Sequence, residues 1–240
     1  MKRSGICLCA WVVALIVVPS VPTEAQSKSS PSEAVPSIPL PKGMTPIFDR
    51  KTLDGWVQIP DGGWEVKEGA MVSMGAGRGV ICTGKSFGRY RIIFDLRHVS
   101  GQPDHQACVL VFCAGPVEGE KPADALAGIQ FQVPNGGHWD YRKGHNNAGK
   151  EEFTALPHPK FDVHQWSRVE LLVDPEKGTA RMAVAQPVGA KAVEVLRFSD
   201  PTAGRKGPFA LQMHNKGLFD EYANIAVEEN PAEDVLITTK

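Results

Sequence analysis

Residues 134–147 read Pro-Asn-Gly-Gly-His-Trp-Asp-Tyr-Arg-Lys-Gly-His-Asn-Asn, which gathers His138, Trp139, Asp140, Tyr141 and His145 in one short stretch. Imidazoles and a carboxylate supply proton transfer, and the two aromatic rings can stack on the apolar face of a sugar. Pro134, Gly136, Gly137 and Gly144 let the backbone turn sharply, and loops on a rigid sheet commonly carry function. Taken singly, Trp139 reads as a core plug and each histidine as an ordinary surface residue. As a cluster they point to a site.

Three neighbouring patterns add hydrogen-bonding groups. In Gly128–Val133, Gln130 and Gln132 alternate with Ile129, Phe131 and Val133. In Ala210–His214, Gln212 and His214 alternate with Leu211 and Met213. In Tyr90–Val99, Asp95 and Arg97 share one face with Arg91 and Ile93, while Ile92, Phe94, Leu96 and His98 share the other. Side chains alternate across a strand, so each strand presents one oily and one hydrogen-bonding face. A merely solvated face favours Lys, Glu and Thr. Amides, a guanidinium and an imidazole suit directional bonding to a neutral polyhydroxylated ligand. The expected partner is therefore a carbohydrate held in a trough, with Gln130, Gln132, Gln212, Trp139, Asp140, Tyr141 and His145 as binding residues. His98, set among apolar neighbours, is expected to be a core histidine.

Other chemistries are not signalled. Asp104, His105, His138, Asp140 and His145 match no metal-ligand spacing, so neither metal nor cofactor is expected. There is no GxSxG elbow, P-loop or dinucleotide fingerprint, and Gly75–Gly79 reads as a hairpin turn because it precedes a strand. With 26 basic and 27 acidic residues and no basic stripe, nucleic acid is not an expected partner. Beyond the first 25 residues the cysteines are Cys82, Cys108 and Cys113. Cys108 and Cys113, on one straight strand, face opposite sides and cannot pair. A bridge from Cys82 to one of them stays open, and all three are expected to be buried.

The elements that must position these groups are strands. In a chain of 240 residues, 24 glycines and 19 prolines suit tight turns and exclude a helical bundle. Period-two patterning marks eleven strands at Trp64–Val66, Ala70–Met74, Val80–Cys82, Tyr90–Val99, Ala107–Cys113, Gly128–Val133, Ser167–Asp174, Thr179–Gln186, Ala192–Leu196, Phe209–His214 and Glu221–Val227. Only residues 119–127 hint at a short helix. The expected fold is all-β, a two-sheet antiparallel sandwich. Upstream, Lys2 and Arg3 precede the 13-residue apolar run Ile6–Val18, and Thr23-Glu24-Ala25 supplies small residues for cleavage. This is the layout of a secretory signal peptide, and 13 residues are too short to span a bilayer as a helix. The reading is a signal peptide over 1–25, a Ser/Pro-rich spacer over 26–42, one domain over 43–230 and a tail over 231–240. The folded part is expected to be exported, secreted or periplasmic, with no stable membrane span after cleavage.

A run of landmarks gives a more specific reading. Ile47-Phe-Asp-Arg-Lys-Thr-Leu-Asp-Gly-Trp56 is followed by Trp64–Gly69, Phe87–Arg97, Gly128–Gln132, Gln165–Val169 and Gly207–His214 with Asn224-Ile225. In order and spacing they resemble the 3-keto-disaccharide hydrolase domain family over about residues 43–229. The resemblance implies a concanavalin-like jelly roll and action on 3-keto sugars. It places that family's acidic-x-Arg pair on Asp95 and Arg97, its E-x-Q on Gln130 and Gln132, and its LQ-x-H on Gln212 and His214. It also implies a mechanism: a base removes the C2 proton made acidic by the C3 ketone, and elimination followed by hydration gives net hydrolysis. His214 or His138 is the expected base, Arg97 with Gln132 the enolate donors, and Asp95 or Asp140 the orienting carboxylate. The chain departs from the pattern at Gln102–Phe112, which lacks its Asn-Ser pair and arginine, and at Gln130, which replaces a glutamate. A lectin-like binding module is the alternative.

Overall fold

The structure, a computed structural model, describes residues 34–101, 107–114, 126–142, 145, 147–148 and 153–240. The expected leader, the turn with Asp104 and His105, and most of the helix expected at 119–127 lie outside them.

Sixteen strands are found among the described residues: β1 Thr45–Pro46, β2 Trp56–Ile59, β3 Trp64–Lys67, β4 Ala70–Ser73, β5 Gly79–Thr83, β6 Tyr90–Ser100, β7 Ala107–Val111, β8 Ile129–Val133, β9 His138–Asp140, β10 Asn147–Ala148, β11 Phe153–Ala155, β12 Ser167–Asp174, β13 Thr179–Ala185, β14 Val193–Ser199, β15 Ala210–Met213 and β16 Phe219–Glu229. They form two antiparallel sheets. Sheet one runs β11-β14-β13-β12-β6-β16-β4-β3, with β1 also on β16, and sheet two runs β10-β9-β8-β7-β15-β5-β2. All eleven expected strands are present. The added ones are short or lie at sheet edges, where few residues carry a periodic signal.

Alternation puts the apolar set of every long strand between the sheets. Tyr90, Ile92, Phe94 and Leu96 of β6, with Val169, Leu171 and Val173 of β12, meet Val109, Val111, Ile129, Phe131, Leu211 and Met213 of sheet two in one core. Phe94 bridges the layers, its ring 5.7 Å from Phe209 and 6.3 Å from Tyr222. Each such side chain contributes about 1.5–3 kcal/mol when fully buried, so the core holds the sheets face to face. His98 lies on this inner face as expected, 1% exposed, with Nδ1 2.8 Å from Asp220 Oδ1.

The outer face of sheet one is covered by residues 34–41 and by the C-terminal segment. Glu170 on β12 is fully buried and takes hydrogen bonds from Arg91 Nε at 2.8 Å, Ile237 N at 2.9 Å and Thr238 N at 2.8 Å. Leu236 packs beside Leu172, Ala183, Ala185 and Ala192. The residues read as a C-terminal tail are thus docked, because a buried carboxylate receives their backbone. Residues 34–41, read as part of a spacer, also lie against this face. Arg168 donates to Ile38 O and Pro39 O, and Asn224 to Pro36 O. The composition was too poor in apolar groups to order the segment by itself, and side-chain donors on the sheet do so instead.

All three described cysteines are buried thiols outside any disulfide. Cys113 joins Val80, Cys82, Leu110 and Ala210 on the outer side of sheet two. The straight-strand expectation for Cys108 and Cys113 does not hold, because β7 ends at Val111 and Phe112 turns left-handed at φ 55°. Burial pushes the Cys82 thiol up to about 11 and the other two further. Alkylation of native protein at pH 8 should leave these three thiols unmodified while denatured protein labels at each, as read by mass spectrometry.

On β14, Glu194 is clasped by Arg197 and Arg181. Partial burial works to raise its carboxyl, but the hydrogen bonds and charges of the two guanidinium groups outweigh this and hold it at about 2, against an ordinary 4.5. A lowered folded-state value means that this stabilisation is complete above about pH 4.5 and is lost as pH falls towards 2. The thermal midpoints of the native chain and Glu194→Gln should therefore differ at pH 6 and converge by pH 2.

Candidate functional site

The polar residues of sheet two form two rows across its outer face. Register places Trp139, Gln130, Leu110, Ala210, Cys82 and Val57 in one row, from β9 to β2. Gln132, Cys108, Gln212, Val80 and Ile59 form the next. The amides at 130, 132 and 212 thus share one face, as their alternation predicted.

The floor of this face is sealed. Gln130 is 2% exposed and Gln212 and Cys108 are 0% exposed. Tyr141 lies over them, packed on the apolar patch of Val80, Cys82, Leu110 and Leu126. Its hydroxyl donates to Gln130 Oε1 at 2.9 Å and lies 3.5 Å from Gln212 Nε2, while Gln130 Nε2 donates to Cys108 Sγ at 3.1 Å. Buried amides need such partners, so these two glutamines set the shape of the face from below. Trp139 and Tyr141 continue the surface with ring centroids 6.2 Å apart, both half-buried. Gln132 is half-buried too, beside a turn that only glycine can make. Gly137 has φ 125°, and a Cβ there would meet Gln132 Oε1 at 2.4 Å.

The margin of the face lies one step past the last paired residues of β15 and β5, Met213 and Gly79. There stand His214 and Arg78. Arg78 Nε donates to the His214 carbonyl at 2.9 Å, and Arg78 Nη2 lies 3.4 Å from His214 Nε2. Asn215 Oδ1 lies 3.1 Å from His214 Nδ1. An amide oxygen only accepts, so this contact assigns the proton to Nδ1 and leaves Nε2 with its lone pair. Arg78 and Asn215 were missed in the sequence. Arg78 sits in the glycine-rich run that was read as a turn, and its partner is 136 residues away.

Five other expected site residues lie elsewhere. His138 pairs with Phe131, on the inner side of sheet two, and its ring lies edge-on to Phe198 at 6.2 Å. Trp139 takes the outward place in β9, so His138 must face inward. Asp140, beside Ile129, is also inward, and is held by Arg142 Nη2 at 2.7 Å, with Asp200 on the same guanidinium at 2.5 Å. His145 is exposed, with Nδ1 3.6 Å from Asp140 Oδ2. It belongs to this clasp and not to the amide rows.

Asp95 and Arg97 are on the outer face of sheet one. Asp95 binds Arg168 Nε at 2.7 Å, and Arg97 binds Glu221 at 2.7 Å with Trp166 stacked 5.1 Å away. The expectation that they share a hollow with Gln132 and His214 is corrected, because the entire sandwich separates the two faces. Alternation revealed a polar face on β6 but not which side of the molecule it would occupy.

Comparison with known structures defines the class. The chain resembles a candidate glycosyl hydrolase from Parabacteroides distasonis, with a TM-score of 0.55 and 16% identity over 79% of this chain and 95% of that one. It resembles the carbohydrate-binding module CBM66 from Bacillus subtilis, with a TM-score of 0.54 and 13% identity over 73% and 96%. A third match is the exoplasmic/lumenal domain of VIP36 in a Ca2+/mannose-bound form, with a TM-score of 0.50 and 9% identity over 78% and 87%. At these identities the likeness is one of fold, the two-sheet jelly roll. Among curated proteins none matches the chain in sequence. Residues 43–228 match the family of 3-keto-alpha-glucoside-1,2-lyase-like domains, and the chain belongs to that family.

Removing the Tyr141 hydroxyl tests the sealed floor. Tyr141→Phe should lower stability by about 1 kcal/mol, since Gln130 and Gln212 lose a shared buried partner, read as the midpoint of urea unfolding.

Proposed function

We propose that the chain cleaves 3-keto-glycosides at the amide face of sheet two, with His214 as the general base. The observation that supports this reading is the pairing of His214 Nε2 with Arg78 at 3.4 Å, at the half-buried end of a face walled by Trp139 and Tyr141. Membership of the 3-keto-alpha-glucoside-1,2-lyase-like family supports the substrate class in this reading.

In this reading Nε2 takes the C2 proton. The electrons of that C–H bond form an enolate with the C3 carbonyl, and its oxygen gathers negative charge. Arg78 swings from the imidazole to that oxygen, and Gln132 adds a neutral donor. Collapse of the enolate forms the C1–C2 double bond and expels the C1 oxygen, which leaves as an alcohol once protonated. Addition of water across the double bond completes a net hydrolysis, and release before hydration gives a lyase product. No pair of carboxylates is needed, unlike ordinary glycosidases. The reading includes export outside the cytoplasm, supported by the leader at residues 1–25; N-terminal sequencing of the secreted protein should begin at Gln26.

A non-catalytic glycan-binding role is the second reading. It is favoured by the two rows of the face, which contain no carboxylate. Purified protein incubated with 3-keto-trehalose or 3-keto-sucrose in deuterium oxide separates the two. Catalysis predicts sugar release and deuterium at C2. His214→Ala should lose about 10²–10⁴-fold and Arg78→Ala about 10²–10³-fold. Binding measured by calorimetry without product, or full turnover in His214→Ala, would overturn the assignment.

A further inference from the structure

The outer face of sheet one carries a second set of polar groups, and these form a site of a different kind. Asp95 is fully buried and accepts from Arg168 Nε at 2.7 Å, Arg168 Nη2 at 2.9 Å and Asn224 Nδ2 at 2.7 Å. The carboxylate therefore fixes both donors in one orientation. Their remaining hydrogens point outward to three backbone carbonyls of residues 34–41. Asn224 Nδ2 donates to Pro36 O, Arg168 Nη2 to Ile38 O and Arg168 Nη1 to Pro39 O, each at 2.9 Å.

Two shallow apolar seats flank these donors. Val35 packs on the cluster of Ala70, Val72, Trp166 and Ala223, beside Val188. Ile38, still 43% exposed, rests one side of its chain against Gly189, where an added Cβ would meet its Cδ1 at 3.5 Å. The segment Val35-Pro-Ser-Ile-Pro-Leu-Pro41 holds three prolines, at 36, 39 and 41. Proline has no N–H and favours an extended backbone whose carbonyls stay free. Donors that read carbonyls alone match such a strand without asking it to complete a sheet ladder.

We propose that Asp95, Arg168 and Asn224 form an exchangeable binding site for proline-containing extended peptides, whose resident ligand is residues 35–41 of the same chain. The recognition rests on main-chain carbonyls and two small apolar seats, so an equivalent peptide in trans satisfies the same donors. Arg168 is 5% exposed with the segment in place, and a vacant site would return its outward hydrogens to water, so release exchanges one set of hydrogen bonds for another and leaves the site open to a competing peptide. The proposal is independent of the carbohydrate reading, which concerns the opposite face.

The test uses the full chain with one engineered protease site between Lys42 and Thr45. After cutting, the N-terminal fragment should co-elute with the domain on gel filtration at micromolar concentration. A synthetic peptide Ala34–Lys42 should displace it saturably, and a peptide with its three prolines replaced by glycine should need at least about tenfold more, because its unbound backbone is freer. Arg168→Ala should release the fragment, but it strands the Asp95 charge and can impair folding. Asn224→Gly is the second variant. Asn224 has φ 52°, a conformation glycine accepts, so the change removes only the carboxamide and should weaken retention at least about tenfold. Loss of the fragment on cutting, failure of the peptide to displace it, or equal retention in Asn224→Gly would each overturn the proposal.

Discussion

Burial of every second side chain between two antiparallel sheets is the constraint on which the rest of this molecule depends. A strand that commits Ile92, Phe94 and Leu96 to the core must turn Arg91, Ile93, Asp95 and Arg97 outward. The same parity on β8 and β15 buries Ile129, Phe131, Leu211 and Met213 and sends Gln130, Gln132 and Gln212 to the opposite outer face. A one-residue slip in any of these strands would place amides in the core and hydrocarbon outside. The hydrophobic gain of the interface therefore sets both the fold and the address of every polar group.

The two outer faces meet this constraint differently. Sheet one buries charges in pairs, Asp95 with Arg168 and Glu170 with Arg91, and satisfies the remaining valences with residues 34–41 and the C-terminal segment. Such pairs are costly to desolvate, and repay the cost only when every donor and acceptor is met. These two segments meet them. Sheet two uses neutral amides and a tyrosine hydroxyl for its buried floor, which avoids the desolvation of full charges and leaves the half-buried His214 imidazole and the exposed Arg78 guanidinium at its margin.

That division bears on chemistry. In the proposed reading the group that gains and loses a proton must be reachable by solvent, and His214 is half-buried. Asp140 and Asp95, each engaged by a guanidinium, are scaffold. Asp140 ties β9 to the turn at Asp200 through Arg142, which keeps Trp139 and Tyr141 facing outward over the amides.

Much of this was legible in the residues. The alternation of β6, β8, β12 and β15 is long enough to give strand type and inner face, because parity is a local property of the backbone. The landmarks from Ile47 to Ile225 pointed to the family that residues 43–228 match. Less was legible in 134–147, where the three-residue strand β9 decides that His138 turns in and Trp139 out, and three residues carry too little period to show it. Arg78 was hidden for another reason: its meaning comes from His214, across a hairpin-distant pair of strands. Local patterning by itself determined the strands, their apolar faces and the amides of Gln130, Gln132 and Gln212. Only the tertiary structure decided that Asp95 and Arg97 lie on the far side from them, because which outer face a strand contributes to depends on sheet membership, a choice made by pairing between residues remote in the chain.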